Sequence, residues 1–104
     1  MAQFDVHRNN GKHRDTIPYV VVVQSKLLDG YKRRVVVPLV KASAVGSIPN
    51  PRFNPTFTIA GIKVVLHPLE IVSVALDELG KPVSSLAKDA DRIIGALDDL
   101  LLRN

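Results

Sequence analysis

The chain has 104 residues, no cysteine and a formal net charge of +4, from 14 lysines and arginines against 10 carboxylates. That length fits one domain over residues 1–104, with a core modest enough for a dimer partner to be a natural supplement. Without cysteine there is no disulfide, thiol nucleophile or thiolate metal site, and 46% hydrophobic against 23% charged residues argues for a globular protein over a disordered one.

Residues 3–7 alternate Phe4 and Val6 with polar neighbours, the period of a short first strand. Residues 8–16 are polar, contain the turn signal Asn9-Asn10-Gly11 and read as an exposed loop. Residues 18–24 are a continuous β-branched run, as in a strand buried on both faces. The pattern breaks at residues 25–34, where Leu27-Leu28 precede Asp29-Gly30 and put two large apolar side chains at the mouth of a turn. Residues 35–40 form the next β-branched strand, and Pro38 within it marks a strand end, a bulge or an edge position. The two runs read as an antiparallel pair joined by a long, positively charged connection.

Pro49, Pro51 and Pro55 make residues 43–55 irregular chain, because proline fixes φ and removes a donor. Residues 56–60 and 62–67 read as a hairpin turning near Ala60-Gly61. Pro68 then opens a short piece carrying Ile71-Val72-Ser73-Val74. The tail changes period: Leu86, Ala90, Ile93, Ile94, Leu97, Leu100 and Leu101 recur at helical steps. This predicts one amphipathic helix over residues 85–102, with Ser84 or Ser85 as its N-cap. Asp98 and Asp99 lie at the wrong end for the helix dipole, a penalty of roughly a few tenths of a kcal/mol each, and helix propensity does not explain them. Leu100, Leu101 and Leu102 spread around roughly 200° of helix, so at least one is exposed or buried against a partner. Strands first and one helix last predict a mainly β, α+β domain.

No catalytic constellation is visible. There is no Gly-rich phosphate loop, no His-x-x-x-His pair and no serine in an elbow context. Asp77 and Glu78 are adjacent and belong to a turn over residues 76–80. An RNA-cleaving site built from His67, Arg52 and a carboxylate is not favoured by spacing. His7, His13 and His67 are scattered and read as ordinary surface or strand-edge imidazoles, so no metal or cofactor is expected. Basic residues cluster over 8–14 and 32–34 with no aromatic interleaved in the first cluster. They read as a solvated basic rim, and no sequence-specific nucleic-acid binding is expected. The apolar runs fall far short of the roughly 20 residues a membrane span needs, and the opening lacks a signal-peptide core, so a cytoplasmic protein is expected.

Gln3-Phe4-Asp5-Val6, Val22-Val23-Gln24-Ser25-Lys26-Leu27-Leu28-Asp29 and Arg33-Arg34-Val35-Val36-Val37-Pro38-Leu39 come in that order along the chain. They resemble, in turn, the opening strand, the VQSDIID segment and the RRMVIPL segment of the CcdB family of toxins from toxin–antitoxin modules. Downstream the resemblance continues as a hairpin after proline, a Ser-Val strand piece and a final helix of equal reach. It implies a twisted antiparallel sheet of SH3-like barrel type (CcdB/MazF-like), one C-terminal helix and a symmetric homodimer. It also implies a toxin of a plasmid-maintenance module that catalyses nothing. Such a toxin binds the A subunit of DNA gyrase, traps the cleaved-DNA complex as a topoisomerase poison, and is neutralised by a cognate antitoxin with an acidic disordered tail. On this resemblance Leu27 and Leu28 stand where the family has two exposed isoleucines near the gyrase-binding surface. Asp98 and Leu101 stand at helix positions that face gyrase. Leu102, Arg103 and Asn104 stand where the family's characterised poisons end in Trp-Gly-Ile. The alternatives are an endoribonuclease toxin of the same fold, or a CcdB-like member with a different or lost target.

Overall fold

A computed structural model describes residues 2–48 and 50–102. The strands are β1 (Asp5–Arg8), β2 (Tyr19–Val22), β3 (Arg33–Lys41), β4 (Thr56–Ile59), β5 (Ile62–Leu66), β6 (Val72–Ala75) and β7 (Ser84–Ser85). A single helical turn, α1 (Ala42–Val45), follows β3, and α2 (Ala90–Leu101) closes the chain. All seven strands join one antiparallel, nearly closed, barrel-like sheet in the order β4-β5-β3-β2-β1-β7, with β6 also on β3. The architecture is the mainly β domain with a C-terminal helix that the residue pattern predicts, closed into the SH3-like barrel that the resemblance implies. Among the described residues no helix is long and apolar enough to cross a membrane.

β3 pairs with β2 along one edge over residues 36–39. Along its other edge it pairs first with β6 over residues 33–36 and then with β5 over residues 39–41. Pro38 therefore sits in mid-strand, not at the expected end, bulge or edge. The His67 N–H donates to the Pro38 carbonyl at 3.1 Å, so that residue's backbone groups face the edge where β3 changes partner from β6 to β5. Its missing N–H falls in that gap and costs no ladder bond.

Side chains alternate across the pleat. Val6, Val21, Val37 and Leu39 enter the main core, where Phe57, Val64 and Leu66 meet Ile93 and Ala96 of α2. The neighbouring positions Val22 and Val36 point the other way and pack under Leu79 in a smaller cluster. His7 lies on that second face, fully buried where a surface or strand-edge imidazole was expected; its Nδ1 is 2.9 Å from the Gly80 carbonyl and donates to it.

Several boundaries differ from expectation. Phe4 has a left-handed φ of 70°, so the first strand begins at Asp5. Ser84 and Ser85 do not open the helix. They pair with Val6 and Asp5 as β7, Ser85 Oγ accepts from the Ala87 N–H, and a 3-10 turn over Ala87–Asp89 leads into α2 at Ala90. The edge strand β1 offers backbone partners to that segment, and they outcompete helix continuation. α1 likewise adds one turn inside residues expected to be irregular.

The hairpin turns at Ala60 and Gly61, with φ of 50° and 79°. Such a two-residue turn needs positive φ at both positions, which disfavours alanine. Ala60→Asn is expected to raise stability by about 0.5–1 kcal/mol, and Ile93→Ala to lower it by about 2–5 kcal/mol. Urea unfolding of both variants checks these values, and an unchanged midpoint for Ile93→Ala would contradict the packing of α2 on the sheet.

Candidate functional site

The segment between β2 and β3 is built on a short local code. The Ser25 Oγ accepts from the Leu27 N–H at 3.2 Å and caps the 3-10 turn Lys26–Leu28. The N–H groups of Leu28, Asp29 and Tyr31 donate to the carbonyls of Ser25, Lys26 and Leu28. This winding leaves Leu27 93% exposed, with Leu28 and Tyr31 exposed beside it. Gln24, Leu28, Tyr31 and Arg33 line a shallow groove of about 290 Å3.

Two side chains close the loop. Gln24 Nε2 donates to the Leu28 and Arg33 carbonyls, both at 3.1 Å, while its Oε1 accepts from the Val35 N–H at 2.9 Å. Arg34 was expected on a solvated basic rim and is instead 4% exposed. Its Nη1 donates to the Tyr31 and Arg33 carbonyls at 2.7 and 2.8 Å, and its Nη2 to the Asp29 carbonyl at 3.1 Å. The Asp29 carboxylate stands 3.8 Å from the same Nη2. The reason is register: Arg34 lies opposite Val74 of β6, two residues from Val36, and so turns to the sheet's second face.

At the other candidate region, the end of α2, Asp98 is exposed, Leu100 is half-buried, and Leu101 and Leu102 are 70% and 75% exposed. Arg103 and Asn104 lie outside the described residues. Asp99 accepts from Arg52 Nε at 2.9 Å, which accounts for a carboxylate at the end of the helix that the dipole disfavours. This partly exposed pair contributes at most about 1 kcal/mol. Arg92 stacks over Phe57 at 4.5 Å and donates to the Thr56 carbonyl at 2.7 Å, tying α2 to the outer strand β4. Arg52 is thus bonded to Asp99 and not to His67. Among the described residues no three His, Cys, Asp or Glu side chains come together as a metal site.

What the surface offers is therefore apolar display on ordered backbone. A model of the CcdB protein family matches residues 3–102, essentially the whole chain. The chain belongs to the CcdB family. Membership makes it a toxin-antitoxin toxin of the gyrase-poison type in general, from a family known as non-enzymatic. A comparison with curated proteins returned no match.

In this CcdB-family chain the positions singled out by resemblance fall in two places. Leu27 and Leu28 ride on the loop, whose bonds close on Gln24, Ser25 and Arg34. Asp98, Leu101 and Leu102 end α2, whose bonds run to Arg52 and Thr56. One chain holds the two apolar sets by separate parts of its fold. Sequence reasoning missed Tyr31 and the exposed Leu69, Ile71 and Val72 at the approach to β6. A β-branched run signals a strand but not whether its neighbours cover it. It also missed Gln24 and Arg34 as loop-holding groups. The available signal was the alternation that sets Arg34 on the side of Val36.

Because Leu27 touches almost nothing in its own chain, Leu27→Asp is expected to change unfolding free energy by less than about 0.5 kcal/mol. Chemical denaturation tests this, and a loss above roughly 1 kcal/mol would mean that the leucine serves the fold.

Proposed function

We propose that this chain is the toxin of a type II toxin–antitoxin module. It acts as a homodimer that binds the A subunit of DNA gyrase and traps the cleaved-DNA complex, with no catalysis of its own. Gyrase contacts are assigned to Leu27, Leu28, Asp98, Leu101, Leu102, Arg103 and Asn104. A cognate antitoxin with an acidic, disordered tail neutralises it, and the net charge of +4 favours such a partner.

The observation that carries this reading is Leu27, 93% exposed on a loop held by its own backbone and side-chain hydrogen bonds. Apolar side chains held rigidly in solvent mark protein-binding surfaces, because ordering costs are already met before the partner arrives. The family match supplies the partner class. Dimerisation is supported by the modest core that 104 residues allow, which a second copy would supplement.

A second reading is a CcdB-family toxin aimed at a different protein. It is favoured by Leu102 and Asn104, which on the resemblance replace a tryptophan and an isoleucine of a binding hot spot.

Purified protein is expected to make gyrase accumulate linear, cleaved DNA. Leu27→Asp and Leu101→Asp should each raise the half-maximal concentration at least about tenfold, equal to about 1.4 kcal/mol. If the dimer, verified by sedimentation, yields no cleaved DNA yet halts growth when overexpressed, the second reading replaces the first.

A further inference from the structure

Hydrophobic burial does not hold the Leu27–Leu28 loop. The turn Lys26–Leu28 contains no buried residue, and Leu27, Leu28 and Tyr31 are all exposed. One 3-10 turn is too short to persist by itself. Gly30 adds freedom, and a Cβ built there meets nothing within 4 Å. The loop's order must come from polar contacts, and these converge on two side chains. Arg34 and Gln24 together donate to the carbonyls of Leu28, Asp29, Tyr31 and Arg33.

We propose that Arg34 is a positioning residue of the binding surface, which with Gln24 holds residues 25–33 in the shape that presents Leu27 and Leu28. The inference rests on the reading of this loop as a partner-binding element. Its first support is chemical fit. A guanidinium presents donors in a fixed planar fork, and here both Nη atoms serve separate stretches of the loop, Tyr31 and Arg33 from one and Asp29 from the other. A lysine ammonium is a single point of charge and cannot span them. The second support is cost. Arg34 is buried, its nearest carboxylate oxygen is 3.8 Å away and its Nε has no partner. Burying a charge this way is a poor means of stabilising a sheet, where an apolar side chain of similar volume does as well or better. The interaction makes physical sense as a device that orders the loop. A loop ordered in advance loses little freedom on binding, and loosening it weakens affinity without removing a contact.

The test compares the native chain with Arg34→Met, Arg34→Lys and Arg34→Met/Gly30→Ala. Hydrogen exchange is read at the Leu28, Asp29 and Tyr31 amides, and affinity is read against the purified A subunit of gyrase. Arg34→Met is expected to keep a cooperative unfolding transition near the native midpoint. Exchange at those amides should rise and affinity fall, each at least about tenfold, and Arg34→Lys should not rescue either. Gly30→Ala narrows the loop's freedom at a position open to a methyl group, so the double variant should recover part of both. If Arg34→Met does not fold, Gln24→Leu interrogates the same clamp from the β2 side. Native exchange in a folded Arg34→Met overturns the proposal, as does loosened exchange with full affinity. A native chain that fails to bind gyrase overturns the functional reading instead, and the exchange data still decide whether Arg34 orders the loop.

Discussion

The structure depends on β3 having a different partner at every stage of its length. Its two ends pair with β6 and β5 along one edge while its middle pairs with β2 along the other. A strand shared in this way curls the sheet towards closure, because β5 and β6 cannot continue flat from the same edge. It also fixes which face each residue serves. Val37 and Leu39 meet the underside of α2's core, and Arg34 and Val36 turn away from it. Slip that register by one residue and the guanidinium would enter the hydrocarbon core while valine met the loop carbonyls. The sheet and the loop between β2 and β3 are therefore specified by one constraint.

The same logic links the far end of the molecule. β4 is an outer strand, with backbone groups facing away from β5. Arg92 occupies one of these, the Thr56 carbonyl, and covers the adjacent Phe57 ring. Such a contact blunts an edge that could otherwise pair with another chain. Arg52 reaches Asp99 from the segment before β4. Together the two arginines seat α2 along its length, so the exposed leucines at its end project from a fixed axle.

Much of this was legible in the chain. The β-branched runs around Val21 and Val37, the Ala60-Gly61 turn and a helix over residues 85–102 follow from local patterns, and the structure realises the runs, the turn and the helix from Ala90 to Leu101. The leucine triple at residues 100–102 also announced an uncovered surface, and Leu101 and Leu102 are exposed. What escaped was decided between distant segments. Ser84 and Ser85 look like helix caps until β1, from the opposite end of the chain, offers them a strand partner. Arg34 looks like surface charge until the alternation of β3 is combined with a loop that needs donors. His7 looks like an edge imidazole until the segment carrying Leu79 and Gly80 crosses over it. Charge and polarity do not reveal, by themselves, which backbone carbonyls lack a partner.

An uncovered leucine carries a hazard as well as a use. Leu27 contributes almost nothing to the hydrophobic free energy of folding, because that energy scales with area removed from water and little is removed. Held in a flexible segment, it could collapse onto any apolar surface, its own or a neighbour's. The loop restrains it in two ways. Backbone bonds and the Gln24–Arg34 clamp deny it the freedom to fold back. Lys26, Asp29 and Lys32 lie in the same segment and carry charge of both signs, which disfavours association of like molecules through it. A partner able to meet those charges can still reach the leucines. The polar residues around the apolar display thus act as a filter on what can cover it, and the buried arginine beneath keeps that display in one shape.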